Sequence, residues 1–464
     1  MLTDSAYDIL ERSIIRFRGE PVGTAAACDP NPVADNYKEC FVRDFAPSGI
    51  VFLLNGRSDI VRNFLGAVMD LRGQQPVLKG HHRSRGIMPA SFRVQVNEDG
   101  QEVLAGDFGD RAIGRVTPVD SAMWWMFLLR AYLVTTGDWD FVRSDEVQTC
   151  IREVLDLYLL ESFEMAPTLL VPDGSFMIDR RMAVYGHPLE IQALYFGMLT
   201  TARELLQPTS PDDPRPRNLR IRVDALRGYV KERYWVDRPR LNEIHRYQSE
   251  QYGEEVANVL NVYPESIPAW MDGWLDEHSG FLVGNKGPGR VDFRFFAQGN
   301  LLSVLFGLVG DNEATALMKL YERHWDLLVG EMPLKIVYPA LEAKEWMYLT
   351  GSDPKNVAWS YHNGGNWPVL LWPFVGAALR AGRGDLAQQA VAAVERRIEQ
   401  DDWPEYYDGR RGDLIGRRSN FFQVWSVTAL IIANEILDDP AKRALFNLFA
   451  FTDEVQAANF NTSP

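Results

Sequence analysis

The segment MWWMFLL, residues 123–129, has no polar side at all. A helix that is apolar all round has to be enclosed all round. WPVLLWPFV, residues 367–375, is of the same kind. Residues 58–71 differ: Ile60, Val61, Phe64, Leu65, Val68 and Met69 recur at helical spacing on one face, with Ser58 as the expected N-cap. A second such segment sets Leu386, Ala390, Val391, Val394 and Ile398 on one face and Glu395, Arg396, Arg397 and Glu399 on the other. One type belongs inside a body and the other at its boundary, so the chain is expected to build two concentric rings of helices.

Helical spacing also predicts elements near residues 5–18, 145–162, 188–206, 217–234, 296–310, 312–329, 422–437 and 440–449. Strand signals are scarce. The clearest is FRVQVNEDGQEVLAGDF, where alternating residues flank Asp99-Gly100 and predict a hairpin. The Pro-rich stretch PTSPDDPRPR, residues 208–217, reads as a surface loop between helices. No fixed repeat is visible, which disfavours a solenoid. With 46% hydrophobic residues the chain can fill one large core, and residues 1–464 are expected to form a single domain.

The net charge of −15, with no Lys/Arg-rich block, predicts neither a nucleic-acid nor an anionic-membrane partner and favours a neutral small molecule. Cys28, Cys40 and Cys150 are odd in number and lack CxxC spacing, so neither a disulfide framework nor a zinc site is expected. That points to a reducing compartment. The opening MLTDSAYDILERSII places Asp4, Asp8 and Glu11 in an amphipathic pattern unlike a signal peptide, and no apolar run reaches membrane-spanning length. A cytoplasmic location is the expectation. HExxH, Walker and GxSxG motifs are absent, GNKGPG (284–289) lacks dinucleotide spacing, and DDP at 212 and 438 lacks the DDxxD spacing of prenyl-diphosphate enzymes.

What remains is a set of dense polar segments between helices: ECFVRDFAPSG, GIMPASF, DFGDRAIGRVTPVDSAMWW, DGSFMIDRRMAVYGHPLEIQ, DPKNVAWSYHNGGNWPV and DDWPEYYDG. Each mixes carboxylate, Arg, His or amide groups with Trp, Tyr or Phe. A carbohydrate pocket needs that mixture, aromatic faces for the apolar side of a sugar ring and planar polar groups for its hydroxyls. Glycosidic hydrolysis further needs two carboxyl groups, one to protonate the leaving oxygen and one to activate water or attack. Glu405, collared by Trp403, Tyr406 and Tyr407, and Asp179, which follows an apolar quartet, stand out. Each has a rival reading. Glu405 could be a structural acid, and Asp179 could be paired with Arg180 or Arg181, which would lower its pKa against the needs of a general acid. His82, His187 and His362 read as hydrogen-bonded core or loop histidines, Trp124 and Trp125 as core, and Cys40 as a small buried residue.

Taken in order, these segments together with GEMPLKIVYPALE resemble the alkaline/neutral invertase family of glycoside hydrolases, from about residue 36 to about residue 437. The resemblance implies an all-α (α/α)6 barrel with a small β-hairpin insertion, hydrolysis of sucrose to glucose and fructose, no metal or organic cofactor, a cytosolic location and often a homo-oligomer. It makes Asp179 of MIDRR the general acid and Glu405 of WPEYYDG the base. Arg43 and Asp44 of FVRDF are similar to the Arg-Asp pair of the glucose subsite in other (α/α)6 glucosidases. Asp120, His187, Gln192, Tyr361, His362 and Trp367 are the further expected substrate-binding residues, and Asp44, Asp179, His362 and Glu405 are expected to converge at one end of the barrel.

One departure is notable. In IGRRSNFFQVW, Asn420 stands where the family usually has Arg. Where that Arg contacts the fructosyl side, its absence here would shift preference toward another α-glucoside. The alternatives are thus an inverting hydrolase of another cytosolic α-glucoside, or a sugar-binding relic of the barrel without turnover.

Overall fold

A computed structural model of the chain describes residues 4–32, 34–75, 84–111, 116–159, 166–171, 173–178, 180–250, 256–287 and 290–446. Asp179 and His82 lie outside the described residues. Among the described residues, twelve helices build the body. In chain order they are α1 (Asp4–Arg12), α2 (Val42–Leu54), α3 (Ser58–Leu71), α4 (Ser121–Thr136), α5 (Asp145–Tyr158) and α6 (Leu189–Leu205). They continue as α7 (Arg215–Arg233), α8 (Ala297–Leu305), α9 (Asp311–Arg323), α10 (Leu371–Arg380), α11 (Gly384–Glu395) and α12 (Val424–Asp438).

The even-numbered helices form the inner ring. Each packs on the next, α2 on α4, then α6, α8, α10 and α12, and α12 returns to α2. MWWMFLL lies in α4, buried continuously from Ser121 to Leu133, and the Trp125 indole N–H finds the Leu65 carbonyl of α3 at 3.0 Å. The odd-numbered helices bury one face only, as in α5 with Val147, Cys150, Ile151 and Val154 inward. This is an (α/α)6 barrel.

The connections are unequal. From inner to outer helix they are short, with Asn55 to Arg57 joining α2 to α3 and Ala381 to Arg383 joining α10 to α11. From outer to inner helix they are long, and every dense polar segment lies in one of them or in the first turns of an inner helix. Short strands lead in: Cys40–Phe41, His187–Pro188 and Phe295–Phe296 each end on the residue before α2, α6 and α8. The inner helices therefore point their N-termini at the polar end, where the backbone dipoles favour negative charge. Asp44 and Glu190 lie in the first turns of α2 and α6, and Asp120 sits at the N-cap of α4.

Several expectations shift in detail. The segment expected as a helix at 296–310 ends at Leu305, and that at 312–329 breaks into Asp311–Arg323 and Trp325–Leu328. Residues 5–18 hold α1 and then the strand Ile14–Phe17 of a hairpin. The segment 367–375 begins with a 3-10 turn, Pro368–Leu370, before α10. Ser58 is the first helical residue and Arg57 the cap. The expected hairpin forms from Ser91–Val96 and Glu102–Asp107, closed by Asn97, whose Oδ1 accepts the N–H groups of Asp99 and Gln101 while Gly100 takes φ +75°. The Pro-rich stretch joins α6 to α7, but its last three residues, Arg215 to Arg217, already belong to α7.

Candidate active site

At the N-terminal end of the inner ring lies a cavity of about 220 Å3. Among the described residues its walls come from six separate segments: Tyr37, then Arg43 and Asp44, Met177 and Arg181, Lys355 to His362, Glu405, and Trp425. Of the expected residues, Arg43, Asp44, Tyr361, His362 and Glu405 are brought together here.

Glu405 is 2% exposed. Its backbone N–H donates to the Asn420 carbonyl at 2.8 Å. Its Oε1 accepts from the Tyr37 hydroxyl at 2.6 Å, its Oε2 accepts from Asn420 Nδ2 at 3.2 Å, and Lys355 Nζ stands 3.9 Å from Oε2. Burial and the Glu405 charge hold the Tyr37 phenol well above its ordinary pKa, so it stays a donor. The aromatic collar turns out to be a clamp on the backbone and not a sugar platform. Tyr406 donates to the Arg417 carbonyl at 2.7 Å and Tyr407 to Asp401 Oδ2 at 2.8 Å. Trp403, at φ +53°, holds a left-handed conformation that a bulky residue adopts only when its surroundings enforce it.

Arg43 is paired bidentately with Asp120, at 2.5 and 3.2 Å, and Asp120 is 1% exposed. Asp120 thus stands behind the guanidinium and aims it. Burial pushes the Asp44 carboxyl up to about 7 against the pull of Arg43, with Glu405 and Asp120 adding to the rise. His362 stacks on Tyr361 at 4.1 Å, and burial together with Arg181, Lys355 and Arg43 holds its pKa well below the ordinary value, leaving a neutral ring. Lys355 lies 3.7 Å from the Tyr361 ring centroid.

Besides Asp120, three expected substrate-binding residues are placed behind the pocket wall. Gln192 spends its amide on the backbone, accepting from Leu169 N–H at 2.8 Å and donating to the Leu169 and Pro188 carbonyls. His187 pairs as a strand residue, its carbonyl accepting from the Tyr234 hydroxyl and its ring pKa lowered by burial. Trp367 stacks on Tyr406 at 5.3 Å and donates its indole N–H to the Tyr361 carbonyl, supporting Tyr361 from below. Asn420 is fully buried, and its amide donates to Glu405 Oε2.

Sequence reasoning missed Tyr37, Lys355, Arg181 and Glu190. Glu190 is 5% exposed, accepts the Met177 N–H at 3.0 Å and the Gln298 amide at 3.3 Å, and is pushed up to about 8 by burial against the pull of Arg43. It grips the segment two residues before Asp179. Helical spacing separates the two: residues 190 and 192 lie on nearly opposite faces of α6, Gln192 turning to Leu169 and Glu190 to Met177. Among the described residues no group of three His, Cys, Asp or Glu side chains could hold a metal ion, and no helix is long and apolar enough to cross a membrane.

Comparison with solved structures gives the same architecture. A GH63 mannosylglycerate hydrolase from Thermus thermophilus, in complex with glucose, superposes with a TM-score of 0.57 over 94% of this chain and 100% of its own, at 14% identity. A bacterial glucoamylase complexed with acarbose gives 0.51 over 89% of this chain and 50% of its own, at 10% identity. Sequence relatives are closer. Alkaline/neutral invertase E, chloroplastic, of Arabidopsis thaliana is 47% identical over 95% of this chain and 72% of its own length. Cytosolic invertase 1 of Oryza sativa subsp. japonica is 44% identical over 96% and 80%. The family model for alkaline and neutral invertase matches residues 6–440, and the chain therefore belongs to that family and is a glycoside hydrolase.

Proposed function

We propose that the protein hydrolyses sucrose to glucose and fructose with inversion, Glu405 directing the attacking water and Asp179 protonating the bridging oxygen. The observation that carries this reading is the Glu405 carboxylate, buried at the pocket and oriented on both oxygens by Tyr37 and Asn420. Sucrose as substrate is supported by relatives named as invertases. Asp179 lies outside the described residues, and its role rests on the resemblance of its motif and on the grip of Glu190 on Met177. In an inverting hydrolase the two carboxyl groups stand about 6.5–9.5 Å apart, leaving room for water. Arg43, held by Asp120, and Asp44 supply planar groups for the hydroxyls of the glucosyl ring, and neutral His362 can exchange a hydrogen bond without adding charge. A cytoplasmic homo-oligomer without metal or organic cofactor goes with this reading.

The test is the position of bond cleavage. With sucrose in ¹⁸O-water, label is expected at C1 of glucose, and early NMR is expected to show β-glucose before mutarotation. Glu405→Gln should lower kcat by about 10²–10⁴. Label in fructose would make the enzyme a fructosidase, and α-glucose formed first would require carboxyl groups only about 5–5.5 Å apart.

A further inference from the structure

GEMPLKIVYPALE has no side chain in the pocket wall, yet it carries a buried cation. Lys335 is 1% exposed. Its ammonium donates to Asn366 Oδ1 at 2.7 Å and to the carbonyls of Arg410 at 2.7 Å and Gly409 at 3.3 Å, and it lies 5.5 Å from the Trp359 ring centroid. All three acceptors are uncharged. An ammonium so enclosed is costly to desolvate, which makes a purely space-filling role a poor account of a lysine here. It has three N–H groups for three oxygens, whereas a neutral amine has two.

The three oxygens belong to two segments that run beside one another. Backbone bridges pair Lys335 with Asn366, Asn366 with Tyr407, and Tyr407 with Ile415. Gly409 and Arg410 follow Glu405 by four and five residues. Upstream, Glu405 is fixed by its own N–H to Asn420; downstream, the Lys335 ammonium ties the same segment to Asn366. Asp408 and Asp413 favour its charge and Arg410 opposes it, while burial pushes the lysine down to about 7.

We propose that Lys335 is a positioning residue for the reaction: it fixes the segment that carries Glu405, and so the direction from which that carboxylate meets water in the pocket. This rests on Glu405 as the base. It touches neither substrate nor the reacting atoms, and it acts through the 405–410 backbone.

The experiment compares Lys335→Met with Glu405→Gln and the wild type on sucrose, by kcat, KM, pH profile and thermal melting. Misplacing a catalytic group by about 1 Å can lower the rate about 10²-fold. Lys335→Met is expected to fold, to lose about tenfold to a hundredfold in kcat with KM within about threefold, because Arg43, Asp44 and His362 stay in place, and to alter the alkaline limb of the profile. Lys335→Gln, which keeps two N–H donors, should recover part of the loss. Folded variants with wild-type kcat and pH profile would overturn the proposal, as would failure of both to fold, which would assign the lysine to the fold alone. If Glu405→Gln itself retained activity, the base assignment would fail instead, and the two failures are distinguishable.

Discussion

Asp44 lines the pocket from the first turn of α2, and its environment sets function against stability. Burial lifts its carboxyl from 3.8 in the unfolded chain to about 7. Between those values the folded chain keeps a proton that the unfolded chain has lost, so the stability present below the unfolded pKa is lost as pH rises through the folded one. Asp44→Asn, neutral throughout, escapes that loss. Its Tm relative to wild type is expected to rise from acid toward neutral pH while turnover falls, measured by melting curves across that range; a pH-independent difference would reject the assignment. Residues such as Asp44, Arg43, His362 and Glu405 were legible because each sits in a segment where charge and aromatic groups crowd together. Tyr37 was not: it meets Glu405 across 368 residues of chain, and an isolated tyrosine in a single 3-10 turn gives no pattern to read. Gln192 was expected at the sugar, but it bonds Leu169 and Pro188, while Glu190 on the opposite side of the helix holds Met177.

Inner and outer helices were told apart by whether polar residues interrupt the apolar pattern, and the structure follows that division in α3, α4, α10 and α11. The exception is α2, read as part of a loop segment. Its first turn carries Arg43 and Asp44 for the pocket, and Pro47 sits inside it, so function and a helix breaker mask the pattern. The loops were illegible for another reason, since their geometry is imposed by distant partners. Tyr406, next to Glu405, fits between two glycines: a Cβ on Gly416 would come within 2.5 Å of its ring, and one on Gly365 within 2.9 Å. Gly416→Ala is expected to lower stability by about 1–3 kcal/mol through overpacking and to reduce kcat with it. Gly228→Ala, in α7 with open space about it, should leave kcat unchanged and raise stability by about 0.5–1 kcal/mol. Denaturant titration of both variants beside kcat on sucrose checks the pair, and an unaffected Gly416→Ala would show that Tyr406 is free to move.

At the scale of the whole molecule, the closure of α12 onto α2 means that no single hairpin owns the pocket; its walls are drawn from segments spread between Tyr37 and Trp425. The unequal connections then divide the molecule into a working end and a blank one. The loop between α6 and α7, with its run PTSPDDPRPR, lies at the blank end. About ten Gly/Ser residues inserted after Pro211 should leave kcat and KM within about twofold of wild type, because a longer surface loop adds little closure entropy. Loss of activity, followed by glucose release, would mean that the two ends communicate. If they do not, the blank end is a handle: the enzyme can be tethered there to a bead, a surface or a second enzyme with its mouth facing the solution, and a neighbour fixed at that point could receive glucose and fructose without standing in the path of incoming sugar.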